Sequence, residues 1–336
     1  MSAQGMVLQQ GLRHLPHVGP QREQRLRQEG CGCWSEILNA ARPAAGIDAS
    51  AWGEICRACE QSLRALEADQ ATYFASHFPP LEQWRVLAHW FGDASYFDIE
   101  TSGLDVGSTV TLICCFHRGT PLRFLAGENM EDFLDLLEHV KVLVSFNGTG
   151  FDVPRVLDRF HIPDLPCAHV DLRWLCHHLG WRGGLKHIEV GLGLCRPPDL
   201  AGLGGAEAVD LWREWSERGD ACAKRTLERY CVADTVMLSL LASRLLAQHG
   251  VAVTSFSEPE LWRRVSEAFP FVGSPAFTSP PATHEGVPPS KRTHGPVVAS
   301  DPFSIAEMVG AVRGLSRAEK QARLRERWRQ LRNGGW

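Results

Sequence analysis

Between Gly92 and Gly103 the chain runs through Ala94–Thr101, an aromatic and β-branched stretch that reads as a strand with two carboxylates on one face. Side chains alternate across a strand, so Tyr96, Asp98 and Glu100 share one side while Ser95, Phe97 and Ile99 share the other. Two acids this close repel each other unless a cation or hydrogen-bond donors lie beside them, and a divalent ion supplies that compensation. Taken alone, the D-x-E pair also describes a solvated strand end.

The elements around this segment follow a short-turn and then alternating order. Strands are expected over 109 to 117 and 121 to 126, a helix over 130 to 139, a strand over 141 to 146, a helix over 153 to 160, a strand over 167 to 172, and helices from there to 248. Hairpin-connected strands followed by strand–helix alternation predict an α/β architecture, a mixed sheet flanked by helices. The apolar run Val140 to Phe146 ends at Asn147, and a glycine turn, Gly148-Thr149-Gly150, leads into Phe151-Asp152-Val153-Pro154. Asp before Val-Pro at a helix start also reads as a plain N-cap. From Ala221 to Gln248 a helical pattern places Leu227, Tyr230, Asp234, Leu238 and Leu241 three or four apart, so Tyr230 and Asp234 share a face. An Asp in such a stripe reads as a buried ion pair or as a ligand.

Composition narrows the classes. The chain has 336 residues, 44% hydrophobic and 22% charged, enough for one large domain with smaller pieces. No apolar stretch is expected to span a bilayer, the start MSAQGMVLQQ lacks the regions of a signal peptide, and the 11 scattered cysteines suit a reducing compartment, so a cytoplasmic protein with no membrane partner is expected. Cys31-Gly32-Cys33 and Cys56-Arg57-Ala58-Cys59 offer four thiols, but Cys56 and Cys59 fall at helical spacing with Ile55, Leu63 and Leu66, which favours core packing over a zinc site. The 14 histidines show no ligand spacing.

A net charge of −4 excludes a uniformly basic nucleic-acid binder, yet the charge is uneven. Arg313, Arg317, Lys320, Arg323, Arg325, Arg327, Arg329 and Arg332 face only Glu319 and Glu326, a basic helical tail suited to phosphates or to a solvated or docked helix. The Pro/Ser-rich stretch before it, Pro270 to Pro302, reads as a disordered linker. Four regions are therefore expected: a helical region over 1 to 90, an α/β domain over 91 to 250, an extension and linker over 251 to 302, and the basic tail over 303 to 336.

Taken jointly, the three acidic segments resemble the signature of the DEDD exonucleases of the ribonuclease H-like superfamily. The D-x-E-T element stands as Asp98-Ile99-Glu100-Thr101, N-x-x-x-F-D as Asn147 through Asp152, and Y-x-x-x-D as Tyr230 through Asp234, the mark of the tyrosine subtype. The residue five before Asp234 is Arg229, where the other subtype has histidine. Gly183-Gly184-Leu185-Lys186-His187-Ile188-Glu189 and Ala206 to Trp212 resemble linking motifs of the YprB-type proteins, and the resemblance covers about residues 90 to 248. Ahead of it, Leu12 to Pro20 and the helical pattern to Gly30 resemble a helix-hairpin-helix element, with His17 in place of its first glycine.

The resemblance implies a ribonuclease H-like fold and a nuclease that cuts phosphodiester bonds from a single-stranded 3′ end of DNA or RNA, using two Mg²⁺ or Mn²⁺ ions. It implies that Asp98, Glu100, Asp152 and Asp234 hold metal, that Tyr230 orients the nucleophile, and that Thr101 and Asn147 contact substrate. A non-catalytic nucleic-acid-binding scaffold and a structure-specific endonuclease are the other readings of the same residues.

Overall fold

A computed structural model describes residues 3–103, 105, 107–270, 319, 322, 323 and 326. The linker expected before residue 302 and nearly all of the basic tail lie outside them.

Six helices come first: α1 Ala3–Gln9, α2 Pro20–Gln28, α3 Trp34–Asn39, α4 Ala49–Glu67, α5 Ala71–His77 and α6 Gln83–His89. Helix α4 starts where the Asp48 carboxylate accepts the N–H groups of Ser50 and Ala51, and it turns Ile55, Cys59 and Ser62 inward. Cys31 and Cys59 are buried in this apolar packing and Cys56 sits at its margin, as the helical spacing of the C-x-x-C element implies. In the hairpin between α1 and α2, His17 takes φ 63°, the left-handed region a glycine favours, and its Nε2 meets Glu54 at 2.9 Å.

The α/β part then follows the expected order: β1 Ala94–Thr101, β2 Val110–His117, β3 Thr120–Leu125, α7 Asp132–His139, β4 Val142–Ser145, α8 Asp152–Phe160 and β5 Ala168–Asp171. Helices α9 Leu172–His178, α10 Leu185–Gly191, α11 Gly205–Arg218, α12 Ala221–Gln248 and α13 Glu258–Ala268 complete it. The sheet order is β3-β2-β1-β4-β5, with β1–β2 and β2–β3 antiparallel and β1–β4 and β4–β5 parallel. This is the mixed sheet expected, with β1 at its centre.

Two apolar layers cover the sheet. Phe97 and Ile99 of β1 point to one side with Phe133, Leu137, Val156 and Phe160 of α7 and α8. Tyr96 points to the other side, where α12 and the amino-terminal helices pack in one continuous cluster from Leu8 to Val265. Helix α12 corrects one expectation, since it is long and apolar enough by length and composition to cross a bilayer. Its most apolar window is 83% buried inside the protein, where it packs against β1 and β2. A helix with apolar residues on all its faces, interrupted by a few buried polar groups, suits a position between a sheet and further helices.

A candidate metal-dependent active site

Strand β1 is buried at every position except Asp98, which keeps partial access to solvent. Its alternation places Asp98 and Glu100 on the α12 face, and the ladder to β2 shifts register between Glu100 and Thr101. Such an irregularity re-aims the side chains beside it. The Thr101 hydroxyl donates to Gly103 O at 2.6 Å, shaping the turn that leaves the strand.

Pairing of β1 with β4 ends at Tyr96 and Val144, so the edge of β1 beyond that point has no strand partner on this side. Asp152 fills the gap. It is the first residue of α8, one place after the N-cap Phe151, is 4% exposed, and its carboxylate accepts backbone hydrogen bonds from Ile99 and from its own N–H. Asp152 thus opens the helix as its first residue while its carboxylate also reaches the β1 backbone. The turn before it is tight: a Cβ at Gly148 would collide with the Ser145 hydroxyl, and Asn147 takes φ 67°. Asp171 holds this turn, accepting the N–H groups of Asn147 at 2.8 Å, Thr149 at 3.0 Å and Arg173 at 3.0 Å.

Helix α12 supplies Tyr230 and Asp234, both buried. Between them and β1, the Cys231 thiol donates to the Asp98 carbonyl at 3.6 Å and to its Oδ2 at 3.7 Å. One ligand atom each from Asp98, Glu100 and Cys231 lies within 4.8 Å of the others, a group able to hold a metal ion. Burial pushes the Cys231 thiol up, which favours its protonated, donating form where no metal is bound.

The carboxylates raise one another. Asp98 is held well above its ordinary range by burial, then by Asp234, Asp152 and Glu100, and Glu100 by burial and then by Asp234, with Lys186 pulling the other way. Asp152 is pushed up to about 7, by burial first; hydrogen bonds to backbone N–H groups oppose that rise, and Asp171 and Asp234 add to it. These mutual effects bring Asp98, Glu100, Asp152 and Asp234 into one cluster whose negative charge exceeds the nearby cations. A divalent ion fits that deficit, and four carboxylates suit a hard cation.

The sequence reading missed two cations and two acids at this site. Lys186 donates to the Tyr230 hydroxyl at 2.8 Å and lies 4.6 Å from its ring centroid. Arg196 bonds Glu189 through Nε at 2.7 Å and Nη2 at 2.6 Å and is ion-paired with Asp234. Asp171 was the second acid missed. Lys186 and Glu189 stood inside the Gly183 to Glu189 segment noted for its resemblance, which was the available signal; Arg196 lies in an aperiodic stretch with none.

Comparison with known proteins agrees with this fold. Residues 95–246 match the family model of the RNase_H superfamily, a span that takes in Asp98, Glu100, Asp152, Tyr230 and Asp234. With the five-stranded mixed sheet, the match defines an α/β ribonuclease H-like, nuclease-type fold. Among solved structures, a family B DNA polymerase from the hyperthermophilic archaeon Pyrobaculum calidifontis is similar at a TM-score of 0.39 and 19% identity, over 46% of this chain and 24% of that one. No curated protein matches the chain.

Proposed function

We propose that the chain is a metal-dependent nuclease, a 3′–5′ exonuclease of the tyrosine subtype and YprB type, working on a single-stranded end of DNA or RNA with two Mg²⁺ or Mn²⁺ ions. The observation that carries this reading is the convergence of Asp98, Glu100, Asp152 and Asp234, from three separate segments, into one buried cluster short of positive charge. Those four residues would hold the ions. When bound, divalent ions in such a site lower the pKa of water and relieve charge on the phosphate.

The chain's own groups do the rest. Burial pushes the Tyr230 phenol above its usual value near ~10, so it stays protonated at neutral pH and cannot serve as a base. Its oxygen accepts from Lys186, which leaves its own proton free to orient the attacking oxygen. Lys186 favours the ionised form of Glu100, and Arg196 pairs directly with Asp234. In this reading Asn147, left-handed in the turn before Asp152, and Thr101, whose hydroxyl shapes the turn after β1, would contact substrate. We extend the reading to the α1–α2 hairpin as a helix-hairpin-helix contact to the nucleic-acid backbone, resting on the left-handed φ at His17.

The test is cleavage of linear and circular single-stranded DNA and RNA with Mg²⁺, Mn²⁺ or EDTA. The reading predicts metal-dependent shortening of linear strands from the 3′ end and no cut in circles. Cleavage of circles would make the protein an endonuclease, and cleavage that persists in EDTA would overturn the metal mechanism.

A further inference from the structure

A cleft of about 570 Å³ has a lining that includes Phe146, Asn147, Arg173, His177, Trp181 and Arg182. That volume is typical of small-molecule and nucleotide sites. Its chemistry departs from the rest of the protein. The chain carries more acids than bases, yet no carboxylate lines this cleft. From Leu172 to Ile188 the sequence holds Arg173, Trp174, His177, His178, Trp181, Arg182, Lys186 and His187 without a single Asp or Glu. Trp174, one residue from Arg173, is 54% exposed.

The cleft is built. Asn147 on one wall takes an N–H from Arg173 on its side-chain oxygen, and Arg182 is fixed by a 2.8 Å hydrogen bond to His177 Nε2. Gly183 turns the opposite wall at φ 103°, where an added Cβ would come 2.9 Å from His187. Both walls connect along the chain to the carboxylate site. Asn147 begins the turn that presents Asp152, and the Gly183-Gly184-Leu185 wall runs directly into Lys186, which bonds Tyr230.

We infer that this cleft binds a single-stranded segment of nucleic acid leading to the carboxylate site, its bases against Trp181 and Phe146 and its phosphates against Arg173 and Arg182. The inference rests on the nuclease reading of the carboxylate cluster and adds to it the path of the strand. Aromatic faces accept any base that is free of a duplex, whereas paired bases stay stacked on each other, so the cleft favours single strands. Two arginines on phosphates make part of that affinity salt-dependent.

The experiment is equilibrium binding, by fluorescence anisotropy in EDTA so that nothing is cut. The probes are labelled oligodeoxythymidylate and oligouridylate of about 15 nucleotides, and a duplex of equal length. Trp181→Ala is expected to weaken single-strand binding about tenfold. Arg173→Gln and Arg182→Gln are each expected to lower the slope of log K against log salt by about 0.7. Arg182 is exposed, so its variant keeps the test valid should Trp181→Ala fail to fold. Wild-type affinity and slope in all three variants, duplex bound as tightly as single strand, or no binding to any probe would overturn the inference. Weakened binding in the variants of a protein that cuts nothing would retain the cleft and remove the nuclease reading. Wild-type binding in the variants of a protein that cuts would do the reverse.

Discussion

Arg196 is ion-paired with Asp234 inside the carboxylate cluster, so one of the four acids carries its own fixed cation. The other side of the guanidinium is held by Glu189, and the Arg196 and Asp234 side chains are only 10% and 9% exposed. Removing one partner of a buried pair strands the other charge, which costs about 3 kcal/mol or more. Arg196→Gln is therefore expected to lower stability by roughly 3 kcal/mol in urea unfolding with EDTA, with saturating Mn²⁺ restoring part of the loss. An unchanged unfolding midpoint would mean that the pair contributes nothing.

The cluster also sets a pH dependence. Asp98, Glu100 and Asp152 have carboxyls raised in the folded chain, Asp152 to about 7. The folded state thus keeps protons that the unfolded chain has released. This contribution is complete below the ordinary carboxylate range near ~4 and is lost as pH rises through about 7 and above. In EDTA, Tm should fall between pH 5 and pH 8 by way of these groups, and Asp98→Asn should lessen the fall. Bound Mn²⁺ should oppose it, because it favours the ionised forms. Thermal melts of both proteins at each pH, with and without Mn²⁺, check the sign.

Lys186 and Tyr230 are separable by kinetics. Lys186 lowers the carboxyl of Glu100, so Lys186→Met should move the acid limb of the pH–rate profile to higher pH. Tyr230→Phe removes the hydroxyl that Lys186 meets at 2.8 Å but no charge, and should cut kcat about 10- to 100-fold without moving that limb. Coincident profiles for wild type and Lys186→Met would remove Lys186 from the site's electrostatics.

Asp171 is 6% exposed and accepts three backbone N–H groups, two of them in the turn that presents Asp152. Charge-assisted bonds of this kind contribute about 1.5–3 kcal/mol each, without simple additivity. Asp171→Ala should cost roughly 3 kcal/mol in denaturant unfolding and should also weaken Mn²⁺ binding measured by calorimetry, since Asp152 loses its support.

Much of this site was legible in the sequence because its acids sit on elements with strong periodicity. The two-residue period of Ala94–Thr101 put Asp98 and Glu100 on one face, and the i, i+4 spacing on α12 put Tyr230 beside Asp234. Asp152 was read two ways, as cap and as ligand. The gap it enters, beyond the early end of the β1–β4 ladder at Tyr96, is a long-range property invisible to local pattern. Arg196 and Asp171 escaped for the same reason, since each acts through partners distant in sequence. The expectation that no stretch is long and apolar enough for a bilayer failed on α12, whose length and composition pass that test; that its apolar window is buried within the protein is visible only in the tertiary structure. The acid-free run from Leu172 to Ile188 was in plain view, inside the stretch read only as helices up to 248.

The most direct test of the account is hydrolysis of a 5′-labelled single-stranded oligonucleotide in Mn²⁺ by wild type and by Asp98→Asn, a near-isosteric change that removes one charge from the centre of the cluster. The account predicts a ladder of 3′-shortened products from wild type and loss of cleavage by about 100-fold or more in the variant. Equal cleavage by the two proteins, or none by wild type in either Mn²⁺ or Mg²⁺, would contradict it.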